Sequence, residues 1–195
     1  MSNTLSTKTT KPKTKAAPKA STPPSALPTG VLLASSSYFG FCAAHNGPWH
    51  SDAQIITELL AKRELSSASP SLYIRCASAI DQVCMTLTDA DGAKHKLSKF
   101  GGDGGTARTI DAMHLKNILQ ITVWGTNKDR YDTQRLGKMR ITYTAHSGFE
   151  PEEFGKFADV PLGSFDADGG VLLGFTGNSG TMVDGLSFLF SDLPH

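Results

Sequence analysis

The residue with the most chemistry to offer is Asp184, in the run "LLGFTGNSGTMVDGLSFLF" at 172–190. Two apolar stretches, 172–175 and 183–190, flank a Gly-, Thr-, Asn- and Ser-rich centre, the pattern of a β-hairpin. Asp184 stands where the second strand turns hydrophobic. A carboxylate there either caps the N–H groups of the loop or faces a ligand, accepting charge-assisted hydrogen bonds about twice as strong as neutral ones. The other reactive side chains form no centre. His45, His50, His95, His114, His146 and His195 show no HxH, HExxH or carboxylate-paired spacing, so no metal site is expected. "DADG", at 89–92 and again at 166–169, lacks the further acids and closing Glu of a calcium loop and reads as an Asp-Gly turn. "GNSG" at 177–180 is not the Gly-x-Ser-x-Gly frame of a nucleophile elbow. Neither a catalytic set nor a cofactor site is expected. Cys42, Cys76 and Cys84 are odd in number with no CxxC, which argues against a disulfide framework or a structural zinc. Cys76 and Cys84 lie in strand-like runs as small apolar residues.

The elements that must position Asp184 begin after a different kind of segment. Residues 1–29 carry five lysines (Lys8, Lys11, Lys13, Lys15 and Lys19) among Thr, Pro, Ala and Ser, with no aromatic residue. Such a segment buries too little apolar area to offset the entropy of ordering it and is expected to be a disordered tail. Its charge offers weak, salt-sensitive contact with anionic surfaces, without the interleaved aromatics of specific nucleic-acid binding. The first 51 residues hold no acid, so all 18 Asp and Glu fall from Asp52 onward. Residues 30–195 form the expected folded domain. Nineteen glycines and ten prolines favour β structure over helix. "SDAQIITELLAKREL" predicts one short helix, about 53–64, with Asp52 as its cap and Ile55, Ile56, Leu59 and Leu60 on one face. From residue 72 strand-like runs recur about every 10 residues between Gly or Asp-Gly turns, which indicates an all-β sandwich, barrel or prism. "AIDQVCMTLTDADG", "LGKMRITYTAHSG" and "MVDGLSFLFSDLP" each show an alternating strand ending in a polar turn. Two open on an apolar-Asp step, Ile80-Asp81 and Val183-Asp184. Three related hairpins imply pseudo-threefold symmetry.

These stretches resemble the jacalin-related lectins. "GGVLLGFTGNSGTMVDGLSFLF" is similar to their C-terminal signature of Gly-x-Ser-Gly and Gly-x-x-x-Asp, and "AIDQVCMTLTDADG" to their Ile-Asp strand. "FGGDGG" at 100–105 is similar to their internal glycine loop, and "NGPW" at 46–49 to the Gly-Pro-Trp step near their N-terminus. The order of these motifs is kept over about residues 40–192. The resemblance implies a β-prism of three four-stranded antiparallel sheets that binds carbohydrate without catalysis. Gly180 would allow a tight turn and close approach of a sugar ring. The N–H groups of Thr181 and Met182 would point at the ring oxygen and primary hydroxyl, and Asp184 would accept two sugar hydroxyls. Gly47 and His50 are the candidates from the second loop, where His50, Ser51 and Asp52 replace the family's glycine-rich run and His50 and Asp52 either add hydrogen bonds or block the sugar. A further site is implied at Asp81 with Gly104 and Gly105, although Ala77 stands where that motif has glycine.

The galactose-binding members of the family use an N-terminal amine made by internal cleavage. No cleavage logic is evident here, so mannose or glucose glycans are the implied class. Trp49 and Trp124 are able to stack on sugars, although Trp124, within "ITVWG", reads as sheet packing. Glycans or glycoproteins are the expected partners, with homo-oligomerisation to raise avidity. The competing expectation is a β-prism scaffold with an inactive sugar site that binds protein or oligomerises. The start of the chain shows no apolar signal stretch, so a cytoplasmic location is expected, or export by a non-classical route.

Overall fold

The computed structural model describes residues 33–41, 47–62, 69–127, 134–146 and 148–191. The expected tail at 1–29 lies outside them, as do Cys42, His45 and His195. Thirteen strands and two helices are described. β1 (Leu33–Ser35), β2 (Phe39–Gly40), β3 (Trp49–Ser51) and α1 (Ala53–Ala61) come first. β4 (Ser69–Cys76), β5 (Ile80–Thr88), β6 (Lys94–Gly101) and β7 (Thr106–Ile110) follow, then α2 (Ala112–Leu115). β8 (Ile118–Gly125), β9 (Leu136–Ala145), β10 (Gly148–Gly155) and β11 (Val160–Asp166) precede the closing hairpin of β12 (Val171–Ser179) and β13 (Val183–Ser191).

They assemble into three antiparallel sheets, in the orders β6-β5-β4-β7, β10-β9-β8-β11 and β1-β13-β12-β3. β2 also pairs β13, so β1 and β2 share one edge and each sheet has four strand positions. The first two are Greek keys in which three consecutive strands meander and the fourth returns beside the first. The third completes the same pattern with strands from the opposite end of the chain. Each repeat noticed in the sequence is the second strand of a central hairpin: β5, β9 and β13. Alternation sends Val83, Met85 and Leu87 of β5, and Met139 and Ile141 of β9, into one core. Phe100 meets Phe175 edge-on at 6.0 Å, and Phe175 meets Phe188 at 5.9 Å, joining two of the sheets across that core.

The threefold likeness is sharpest at a β-bulge. Pairing skips one residue in each central hairpin: Asp184 between Val183 and Gly185, Asp81 between Ile80 and Gln82, and Gly137 between Leu136 and Lys138. A bulge re-aims the side chain of its extra residue, which explains how an acid enters an apolar strand without pointing into the core. Opposite each bulge lies a Phe-Gly step: Phe39-Gly40, Phe100-Gly101 and Phe154-Gly155. The phenylalanines are buried. The glycines have φ of +155°, +93° and +73°, and a Cβ on them would meet the carbonyl oxygens of Asp184 at 2.7 Å, Asp81 at 2.0 Å and Gly137 at 2.1 Å. No other residue combines that backbone with that closeness.

Several elements carry no clear sequence pattern. β7, β10 and β11 are mostly exposed edge strands, and β10 buries only Phe154. Edge strands lack the two-sided burial that makes alternation visible, and Pro151 is tolerated there. α2 is a single turn capped by Asp111, whose side chain accepts from Met113 N. α1 falls within the expected stretch, but its buried face is Ile56, Leu59 and Leu60, with Ile55 turned outward.

Candidate functional site

Asp184 sits at the bulge, beside the turn 180–182 that joins β12 to β13. That turn is closed by Gly180 N donating to Met182 O at 3.0 Å. The chain around Gly47 lies against it: a Cβ on Gly47 would come within 1.9 Å of Ser179 O and 2.5 Å of Gly180 N. Gly47 N donates to Asp184 Oδ2 at 3.1 Å. β3 holds this segment by pairing Trp49 with Asn178 and His50 with Gly177. The internal glycine loop closes the other side, where a Cβ on Gly102 would meet Thr181 O at 2.6 Å. Gly180, Thr181, Met182, Asp184 and Gly47 are thus brought together. Gly180 and Thr181 are exposed, and Met182 is half-buried. Gly180 has no left-handed backbone, and a Cβ there would reach only Gly47 Cα at 4.0 Å. The glycine that this packing demands is Gly47.

His50 is not part of this cluster. Its ring stands edge-on to Phe100 at 5.7 Å. Trp49, 56% exposed, stacks on Tyr38 at 5.6 Å, and the Tyr38 hydroxyl donates to Asn178 Oδ1. Trp124 lies on the outer face of its sheet under Lys138 and Arg140, at 5.4 and 5.5 Å. The group that covers Asp184 is Arg135, the residue before β9, whose Nη1 donates to Asp184 Oδ1. Asp184 is 0% exposed and the Arg135 side chain 18%. Thr126, itself buried, fixes the Arg135 backbone from both sides: its N–H donates to Arg135 O at 2.9 Å, and its hydroxyl accepts from Arg135 N at 3.0 Å. No local motif announces Arg135, because it arrives from a different sheet, 49 residues away.

Asp52 departs from its expected role. Its side chain makes no cap bond to α1. Instead Oδ1 accepts from Ser98 N at 2.9 Å and Oδ2 from Phe175 N at 3.0 Å. The carboxylate is fully buried and ties β6 to β12. Burial pushes its pKa up, against the pull of the two N–H groups.

At the equivalent position of the first repeat, the Asp81 carboxylate presses on Gly104 and Gly105: a Cβ on either would lie 2.5 Å from one of its oxygens. Arg75 clamps this loop, Nε donating to Gly104 O at 2.7 Å and Nη2 to Gly105 O at 2.9 Å. Ala77 has no left-handed backbone, so an alanine carries this turn without strain. Asp81 Oδ2 is buried without a hydrogen-bond partner among the described residues, and burial raises the Asp81 pKa. A carboxyl whose folded pKa is raised loses stability as pH climbs from its unfolded value through its folded one, and costs nothing where both states are protonated. Asp81→Asn is therefore expected to gain up to about 1 kcal/mol at pH 7, discounted because the side chain is partly exposed. The gain should vanish below about pH 3.5. Urea unfolding of both proteins at the two pH values checks this, and an equal gain at both would exclude the charge as its cause.

No protein-family model matches the chain. Solved structures do share its architecture. A mannose-binding jacalin-related lectin from Ananas comosus superposes with a TM-score of 0.57 at 18% identity, covering 84% of this chain and 99% of that one. Malaysian banana lectin gives 0.55 at 19% identity, with 80% and 96% covered. A mannose-specific jacalin-related lectin from Morus nigra, solved with mannose, gives 0.53 at 13%, with 81% and 94% covered. Sheet order, repeated bulges and these likenesses converge: the chain has the three-sheet β-prism fold of the jacalin-related lectins.

Proposed function

We propose that the chain is a carbohydrate-binding protein without catalytic activity, and that it takes glycans of the mannose or glucose class at the mouth formed by Gly47, Gly180, Thr181, Met182 and Asp184. The observation that carries this reading is the bulge. It sets the Asp184 carboxylate at the strand end, between the exposed turn 180–182 and the segment at Gly47, where it ties Gly47 N and Arg135 beside that turn. The solved lectins of the same fold that are described as mannose-binding support the sugar class.

A shallow site with four or five hydrogen bonds gives a Kd of about 1 mM, or about −4 kcal/mol. Useful avidity needs a second site or oligomerisation. The Asp81, Gly104 and Gly105 cluster, built on the same bulge one repeat away, supplies the second site within one chain. A second reading, a scaffold whose sugar site is closed, is favoured by one observation: the contact of Arg135 with Asp184.

Isothermal titration separates the two. Methyl α-mannoside, with galactose as control, should give saturable heat at millimolar concentration with the wild type. Asp184→Asn should lose at least tenfold in affinity while its circular dichroism stays unchanged. Absence of heat from both sugars would leave the scaffold reading standing.

A further inference from the structure

Arg135 changes what the mouth presents to a ligand. Asp184 is fully covered, whereas the Arg135 side chain over it keeps 18% of its surface exposed. That guanidinium has five N–H donors, of which the bond to Asp184 Oδ1 uses one. Thr126 fixes the backbone beneath it, and Asp184 fixes its far end, so the side chain is held in place before any ligand arrives. The charged group nearest to solvent here is thus a cationic side chain that ends in a planar fork, and such a fork matches a carboxylate bidentately. A neutral sugar would have to displace Arg135 to reach Asp184. A sugar that itself carries a carboxylate keeps the ion pair and adds to it.

We propose that the site selects carboxylated sugars, with a hexuronic acid as the ligand class and Arg135 as the residue that reads the carboxylate. Asp184 then acts as a positioning residue that aims Arg135, while the turn 180–182 takes the ring hydroxyls. This rests on the carbohydrate-binding reading above and narrows it.

The test compares methyl α-glucopyranosiduronate with methyl α-glucopyranoside, which differ only in the carboxylate at C6, by isothermal titration into the full chain. The wild type should bind the uronoside at least tenfold more tightly. Arg135→Gln should erase that preference. Arg135→Lys, which keeps the charge and loses the fork, should retain a smaller one and guards against a folding defect in the first variant. Acetate at equal concentration should not displace the uronoside. Equal or tighter binding of the neutral glucoside by the wild type would overturn this inference and leave carbohydrate binding intact. Full displacement by acetate would show a bare anion site and also overturn it. Absence of heat from the uronoside, the glucoside and the mannoside alike would overturn both readings.

Discussion

Asp52→Ala should lower the stability of the fold by about 3–5 kcal/mol, among the larger losses a single substitution causes. The reason is the geometry of its carboxylate. Ser98 N and Phe175 N belong to different sheets, and each donates to a different oxygen of Asp52. Without the side chain both N–H groups stay buried with no acceptor, at about 1–3 kcal/mol each. The space left behind adds a cavity cost, because the carboxylate fills a gap between β12 and the first turn of α1. A Cβ on Gly174 would lie 3.0 Å from Asp52 Oδ2 and 2.7 Å from Ile56 Cδ1. Asp52→Asn should cost less, about 1–3 kcal/mol: the amide keeps one acceptor, loses one bond and escapes the burial cost of the charge. In urea unfolding both variants should move the midpoint and leave the slope unchanged. A midpoint for Asp52→Ala within 1 kcal/mol of wild type would mean that the two N–H groups find other acceptors, and the tie between the sheets would have no energetic weight.

The sequence made the repeats legible because they alternate and end in Gly and Asp turns, signals carried by neighbouring residues. Its apolar-Asp steps at Ile80-Asp81 and Val183-Asp184 marked two of the three bulges. The third was hidden because its extra residue is Gly137, which has no side chain to notice. The Phe-Gly steps went unread for a related reason. A two-residue motif is unremarkable until the fold shows that each glycine faces a carbonyl of the bulge. Asp52 and Arg135 were illegible for a stronger one. Their partners lie 46 and 123 residues away in the first case and 49 in the second, and no local pattern encodes contacts between sheets. At Asp52 the propensity rule for a helix cap gave the right place and the wrong bond, because the buried N–H groups of two sheets competed for the same carboxylate and won.

Gly47 joins the fold to the proposed activity, and Gly47→Ala should damage both. The added Cβ would stand 1.9 Å from Ser179 O, 2.2 Å from Ser179 C and 2.5 Å from Gly180 N. Real Cβ atoms do not approach backbone so closely, and backbone, unlike the tip of a long side chain, cannot swing aside. The two segments must part, which removes the Gly47 N–H from Asp184 Oδ2 and opens the pairing of Trp49 with Asn178 beside it. A stability loss of about 2–4 kcal/mol follows from overpacking and the lost bond. The affinity loss should be larger than stability alone explains, because the mouth itself is reshaped: no saturable heat with any sugar that the wild type binds, at a temperature where circular dichroism shows the variant folded. Gly180→Ala is the matched control. Its Cβ would reach only Gly47 Cα, at 4.0 Å, so stability should stay within about 0.5–1 kcal/mol of wild type. Equal stability losses in the two variants would show that the close approach at Gly47 relaxes without parting the segments. Retained binding in Gly47→Ala would place the glycan elsewhere on the prism, with the Asp81, Gly104 and Gly105 cluster as the next position to vary.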